Sequence, residues 1–208
     1  MARLRDLMVA SIALMVLSPL LLILAILVRL DSPGGALYRQ ERVGLRGKTF
    51  SIHKFRTMHV GLSGPAVTHF GDARVTRLGR WLRTAKLDEL PQLIDILQGS
   101  MSLVGPRPEV PRYADLWPAE AWPIILSVRP GLTDPVTLSL RNEELLLASS
   151  SDPERTYVDL LLPAKARAYV SYVQGRTFLG DIRVVLATFK ALVRPGASLN
   201  LVEEGRLQ

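Results

Sequence analysis

Hydrophobic and polar positions are distributed very unevenly along the 208 residues. From Leu7 to Val28 no charged residue occurs: "LMVASIALMVLSPLLLILAILV". As one helix this stretch extends about 33 Å, roughly the thickness of a bilayer core. It predicts a membrane helix and not a signal peptide, whose apolar region is shorter and followed by small residues rather than "RLDSPGG". Ser18-Pro19 falls near its middle. Pro19 has no N–H to bond one turn back and its ring crowds that turn, so a kink is expected there. Basic residues flank both ends, Arg3 and Arg5 before, Arg29, Arg39 and Arg42 after. The positive-inside rule therefore gives no orientation. A straight span and a helix bent back at Ser18-Pro19 both fit the pattern.

Beyond this segment the period changes. "ALYRQERVG" and "KTFSIHKFRTM" alternate as strands with "LRGK" as the turn between them, while "HVGLSGPAVTHFGDA" reads as loop. "RVTRLGRWLRTAK" predicts a helix, and a second, opened by Asp88 as N-cap with Glu89 in its first turn, runs to about Gln98. "EAWPIILSV" predicts a short interfacial helix with Trp117 and Trp122 at headgroup level, as does the amphipathic "LPQLIDIL". "RPGLTD" is a turn. Two helices follow, "PERTYVDLLLPAKARAYVSYVQG", interrupted at Pro163, and "TFLGDIRVVLATFKALV", stopped by "RPG". Phe50, Phe55 and Trp81 are assigned to the core. The class is α+β and mostly helical: residues 1–31 as membrane helix, then one small α/β globular domain over 32–208 with interfacial amphipathic helices. There is no internal repeat.

Charge narrows the function. The net charge is +7 and the pI about 10.1, although mean hydropathy is +0.20. Between Arg39 and Lys86 stand eleven basic residues and two acidic ones, Glu41 and Asp72. Arg74, Arg77, Arg80 and Arg83 recur every three residues, a broad helical face suited to water or anionic lipid. No groove-reading helix or stacking platform accompanies them, which excludes nucleic acid as the partner. The absence of cysteine excludes disulfides, thiol catalysis and cysteine metal sites. His53, His59 and His69 lack metal-ligand spacing and an accompanying acid, and are assigned structural or surface roles.

The chemistry concentrates in "LDELPQLIDILQGSMSLVGPRPE", residues 87–109. Asp88 and Glu89 complement a helix N-terminus electrostatically, which is sufficient reason for acids there. However, Arg83 and Lys86 immediately precede them, and Arg107 is held between Pro106 and Pro108, whose rings fix the backbone. Acids at a helix start with cations gathered around them also suit a phosphate-bearing substrate.

"KFRTM", "RVTRLGRWLR", "LDELPQL", "MSLVGPRPE" and "RPGLT", in this order and spacing, resemble the bacterial sugar transferase family, the monotopic phosphoglycosyl transferases, over nearly the whole chain to about Leu192. The length resembles the small, single-domain members. The resemblance implies transfer of a sugar-1-phosphate from a UDP-sugar to polyprenyl (undecaprenyl) phosphate with release of UMP, dependent on Mg²⁺, as the first membrane step of polysaccharide, lipopolysaccharide or exopolysaccharide biosynthesis. It implies Asp88 as the nucleophile that forms a phosphosugar-aspartyl intermediate, Glu89 as the assisting acid, and both as metal holders. Lys54, Arg56 and Arg83 are implied as phosphate contacts, and Pro106, Arg107 and Pro108 as the nucleotide motif. It implies a re-entrant membrane helix broken at Ser18-Pro19, in the cytoplasmic leaflet of the bacterial inner membrane with the catalytic domain facing the cytoplasm; a homo-oligomer is compatible with all of this. Three positions depart from the usual family pattern: Ser100 where an acid is common, Asp134 where glycine is common, and Lys86 where serine is common. Lys86 is assigned to the surface. Two other classes compete: a membrane-anchored basic scaffold or lipid-binding protein, and a lipid phosphatase, for which no histidine or cysteine nucleophile motif is present.

Overall fold

The computed structural model describes residues 2–62, 64, 68, 70–136 and 143–193. Helix α1 (Ala2–Asp31) is helical throughout, with Pro19 inside it. The carbonyl that Pro19 leaves without its usual donor is that of Met15, and the hydroxyl of Ser18 donates to it at 2.8 Å. The Ser-Pro pair thus repairs locally the bond that proline removes, and the helix is not interrupted there. One stripe of α1 faces the rest of the chain: Ala10, Ala13, Leu14 and Leu17 toward one apolar cluster, Leu20, Leu21, Leu24 and Val28 toward another. The other side exposes Met8, Ile12, Met15, Ile23, Ile26 and Leu30. Among the described residues α1 is the one helix long and apolar enough to cross a membrane.

The expected hairpin forms. Strands β1 (Leu37–Val43) and β2 (Thr49–Phe55) pair antiparallel with Tyr38 opposite Lys54 and Arg39 opposite His53, joined by a 3₁₀ turn at Leu45–Gly47. Helix α2 (Arg77–Thr84) is capped by the Thr76 hydroxyl and inserts Leu82 against β2 and α1. A 3₁₀ turn (Leu87–Gln92) then leads into α3 (Leu93–Gln98). Asp88 is therefore not the N-cap: Lys86, in the left-handed region (φ 58°), occupies that position and Asp88 lies inside the turn.

Two short strands, β3 (Ser102–Val104) and β4 (Gly131–Thr133), pair in parallel. Their three-residue length left no readable alternation. Their contact depends on glycine: a Cβ on Gly131 would lie 2.1 Å from the Gly105 nitrogen. Helices α4 (Pro111–Ala114), α5 (Ala121–Ile125), α6 (Glu143–Ala148) and α7 (Pro153–Thr156) precede a π-helical turn (Tyr157–Leu161) that runs into α8 (Leu162–Gln174), followed by α9 (Phe178–Val193). The interruption expected at Pro163 is this π turn, with Pro163 tolerated in the first turn of α8.

Three tryptophan assignments reverse. Trp117, 6% exposed, and the partly buried Trp122 belong to the largest apolar cluster, packed among α4, α5 and α8, and Trp122 donates its indole N–H to the Ala114 carbonyl at 2.8 Å. Trp81, assigned to the core, is 54% exposed on α2. Each lies in sequence that mixes apolar and charged residues, so burial is decided by which helix face meets the domain, and that is set by distant partners. For the same reason "LPQLIDIL" is not interfacial: Leu93, Asp95 and Ile96 are buried. Phe55 is buried and Phe50 partly so, as expected.

Candidate active site

Asp88 and Glu89 are both buried, side by side on the 3₁₀ turn, yet their surroundings differ. Glu89 is saturated. Arg107 grips it with two N–H groups, Nη1 to Oε2 at 3.1 Å and Nη2 to Oε1, and Lys54 Nζ donates to Oε1 at 3.2 Å. Such a bidentate, charge-assisted clamp is the strong form of an ion pair. Burial alone would raise the Glu89 carboxyl, but Arg107 and Lys54 more than offset it and hold the group well below the usual carboxylate range. Asp88 has no such clamp: its Oδ1 is buried without a hydrogen-bond partner. Burial, and then the Glu89 charge, push its carboxyl up, opposed by Lys54, Lys86 and Arg83. A desolvated, under-coordinated carboxylate beside a fixed anion–cation pair is primed to react with an electrophile or to accept a metal ion.

The cations are placed by different elements. Lys54 comes from β2, where burial pushes its ammonium down to about 8 despite the nearby Glu89 charge. Arg107 comes from the loop after β3, which is pinned at three points: Gly131 N donates to the Pro106 carbonyl at 3.0 Å, Arg42 Nη1 to the Pro108 carbonyl at 3.0 Å, and Val43 N to the Glu109 carbonyl at 2.8 Å. The prolines limit the loop's own freedom and these bonds fix its position. The Glu89 charge raises the Arg107 guanidinium well above its ordinary value.

The predicted site residues therefore divide. Asp88, Glu89, Lys54 and Arg107 come together, with Pro106 and Pro108 framing the last. Arg83, half-buried on α2, is near enough for its charge to act on Asp88. Arg56 is elsewhere. Its guanidinium donates to the carbonyls of Val28 (3.1 Å), Ser32 (2.7 Å) and Pro33, capping the end of α1. "KFR" reads as one basic cluster, and continued alternation would put Lys54 and Arg56 on one face, but β2 ends at Phe55 and Arg56, just beyond it, turns to α1. Lys86 is half-buried and its charge acts on both acids, so it is more than surface.

Ser100 closes the end of α3, its hydroxyl donating to the Asp95 carbonyl at 3.0 Å. Asp134 is buried directly after β4, and its charge helps to raise Arg107. The supporting set Arg42, Glu109 and Tyr157 carried no sequence signal: the Tyr157 hydroxyl donates to Glu109 Oε2, and Arg42 lies 3.5 Å from Oε1. His53 does have an acid, Asp95, 42 positions away and at 2.6 Å.

With this geometry, the comparisons are specific. A family model described as bacterial sugar transferase matches residues 1–195. The chain is 39% identical over 195 residues to a UDP-glucose:undecaprenyl-phosphate glucose-1-phosphate transferase of Caulobacter vibrioides, covering 92% of this chain and 69% of that protein. It is 43% identical over 115 residues to a putative undecaprenyl-phosphate N-acetylgalactosaminyl 1-phosphate transferase of Bacillus subtilis, 54% of this chain and 64% of that one. Against a UDP-glucose:undecaprenyl-phosphate glucose-1-phosphate transferase of Escherichia coli the identity is 40% over 135 residues, 63% of this chain and 29% of that protein.

Proposed function

The chain belongs to the bacterial sugar transferase family, and from that premise we propose that it transfers a sugar-1-phosphate from a UDP-sugar to undecaprenyl phosphate, with Asp88 as nucleophile. The observation that carries the assignment of Asp88 is the contrast within the dyad, one acid clamped by two cations and the other with a buried oxygen left unpaired. An Asp88 oxygen attacks the phosphorus that bears the sugar. The Asp–O–P bond forms, the bond to UMP breaks, and UMP departs with the electron pair. The phosphate oxygen of the lipid then attacks the same phosphorus and restores the carboxylate. Both steps bring anion to anion, so fixed cations are required where charge accumulates. Lys54 and Arg107 supply them and Glu89 holds them in register.

Asp88 Oδ1 also fits as a ligand for Mg²⁺, which is held by one or two carboxylates together with substrate phosphates. The Glu89 oxygens are engaged by Arg107 and Lys54, so any share Glu89 takes requires that clamp to loosen. When bound, the ion supplies charge neutralisation and alignment of the phosphates. The names of the relatives point to UDP-glucose or UDP-N-acetylgalactosamine as donor. The test is UMP release by the full chain with Mg²⁺, undecaprenyl phosphate and each donor. Turnover with either supports the assignment, and none across a wider UDP-sugar panel overturns it.

The packing of α1 supports a monotopic, bent-back or in-plane seating in one leaflet. Its first turns are held by Arg3 donating to the Ile96 carbonyl at 2.6 Å and by Arg5 with Asp181 at 3.4 Å, its last turn by Arg56. Both ends are tied by charged groups to the same polar domain, which a straight crossing would place on opposite sides of a bilayer. Since the chain has no cysteine, Ala2→Cys and Gly35→Cys give clean probes. In intact spheroplasts neither is expected to react with an impermeant maleimide, and after lysis both react. Labelling of either before lysis contradicts the monotopic placement.

Lys54 sets an alkaline limit. As pH rises through about 8 the ammonium loses its charge, so kcat/KM is expected to fall tenfold per pH unit above that point. Bound pyrophosphate stabilises the charged form, so the limb in kcat lies at higher pH. Lys54→Arg, always charged, should remove the limb from both profiles. A limb unchanged in Lys54→Arg assigns it to another group.

A further inference from the structure

Strand alternation gives β2 a second working face. Lys54 points to the dyad, whereas its neighbour His53 points away, toward α3. On that side lies an open recess of about 430 Å³, lined by Arg39, Phe50, Ser51, His53, Gln98 and Ser100. Arg39 is cross-strand from His53, so both side chains lie on this face. His53 is held rigidly: its backbone N–H donates to Asp95 Oδ2 at 2.9 Å and its ring Nδ1 lies 2.6 Å from Oδ1. This contact leaves the other ring nitrogen without a protein partner. Arg39, Ser51 and Gln98 also have no protein partner among the described residues, and Arg39 is exposed. Four polar side chains thus converge on one recess with unused hydrogen-bonding capacity.

The electrostatics select an anion. The C-terminal carbonyls of α3 would ordinarily make this edge negative. Cations offset this: Arg3 donates to the Ile96 and Leu97 carbonyls, and Arg129 to that of Gly99, just past the helix, at 2.8 Å. The Asp95 carboxylate is fully buried behind the imidazole. Glu41, cross-strand from Ser51, lies outside the lining. The recess therefore offers a guanidinium, an amide N–H and a hydroxyl, a donor set suited to a phosphate group, with the His53 ring forming part of its wall. It also lies next to residues that the start of α1 contacts. Arg3, in the first turn of that helix, bonds the residues just before Gln98, and the exposed Leu4 and Leu97 stand at the same edge.

We propose that this recess, separate from the Asp88 site, binds a phosphate-bearing anion, and its position at the root of the apolar helix favours the headgroup of an anionic phospholipid over free phosphate. The phosphate recognition rests on the recess alone, and only the choice of a lipid source rests on the membrane seating argued above.

The test is equilibrium binding to the full chain in neutral detergent, read by native mass spectrometry, with three probes: dihexanoyl phosphatidylglycerol, dihexanoyl phosphatidylcholine and inorganic phosphate. The short-chain lipids avoid a general coat on α1. Saturable binding of one phosphatidylglycerol is expected, at least tenfold tighter than phosphatidylcholine. Arg39→Gln should weaken it at least fivefold, while Arg167→Gln, an equal charge change at an exposed position on α8, leaves it unchanged. Gln98→Leu, which keeps every charge, should weaken it about threefold. Equal loss in Arg39→Gln and Arg167→Gln, or no loss in either, overturns the site. Inorganic phosphate binding as tightly as phosphatidylglycerol keeps the anion site and overturns its lipid source. UMP release, assayed in parallel, should be retained in Arg39→Gln, so failure of this site and failure of the Asp88 assignment are separable.

Discussion

Incubated with Mg²⁺ and the correct UDP-sugar but no lipid acceptor, the wild-type chain is expected to gain the mass of one phosphosugar, and Asp88→Asn to gain none. The physical reason lies in what surrounds Asp88. A buried carboxylate oxygen with no donor has lost its water and received nothing in exchange. Its ground state is raised, and a bond to phosphorus relieves it. The neighbouring acid has no such tendency, because Arg107 and Lys54 already satisfy it. Asparagine preserves the volume of Asp88 and removes the charge and the nucleophile. Turnover should therefore fall by at least about 10⁴-fold.

The same substitution ought not to unfold the chain. It removes a charge that burial disfavours and that no protein hydrogen bond at Oδ1 repays, so the melting temperature is expected to hold or rise. A folded Asp88→Asn protein that still acquires the adduct would move the nucleophile elsewhere. A folded Asp88→Asn protein that retains full turnover without an adduct would remove the covalent role of Asp88 and favour direct transfer from the UDP-sugar to the lipid phosphate. Loss of adduct with intact folding leaves the covalent route through Asp88.

How much of this was legible in the sequence depends on range. The hairpin was readable because its alternation and its turn are local, and α1 because 22 uncharged residues admit few alternatives. The dyad and Arg107 were readable as a motif, although no local rule brings residues 88 and 107 together. That step needs β3 and β4, whose pairing rests on two glycines in close approach and leaves no periodic trace. Arg56 lies apart from the acids because β2 ends at Phe55, an end that the charge pattern does not mark. His53 was read as lacking an acid because Asp95 sits on another element and became its partner only when α3 packed against β2. The tryptophans were exchanged for the same reason, since amphipathic pattern marks a face without naming its neighbour. Asp134, legible only as an unusual residue, is buried directly after β4, where a second carboxylate charge besides that of Glu89 raises the Arg107 guanidinium.

The second large effect concerns the clamp. Arg107→Ala leaves Glu89 buried with Lys54 as its one remaining hydrogen-bond donor, and removing one partner of a buried pair costs about 3–5 kcal/mol, here toward the lower end because Arg107 is about a quarter exposed. Turnover should fall about 10³-fold, since the site loses a fixed cation where charge accumulates. Arg107→Lys keeps charge without the two-pronged grip and should retain the fold with a ten- to hundredfold loss. Glu89→Gln separates positioning from charge. The Glu89 carboxylate is what holds the Lys54 ammonium up against burial, so neutralising it must lower Lys54 further. The alkaline limb of kcat/KM, near pH 8 in the wild type, should therefore move to lower pH in Glu89→Gln, while any change in an Arg107 variant runs the other way, because Arg107 itself depresses Lys54. Opposite displacement of one limb by two substitutions at one ion pair identifies Lys54 as the titrating group. Displacement in the same direction, or none, would show that the three side chains do not act as one unit in the working enzyme.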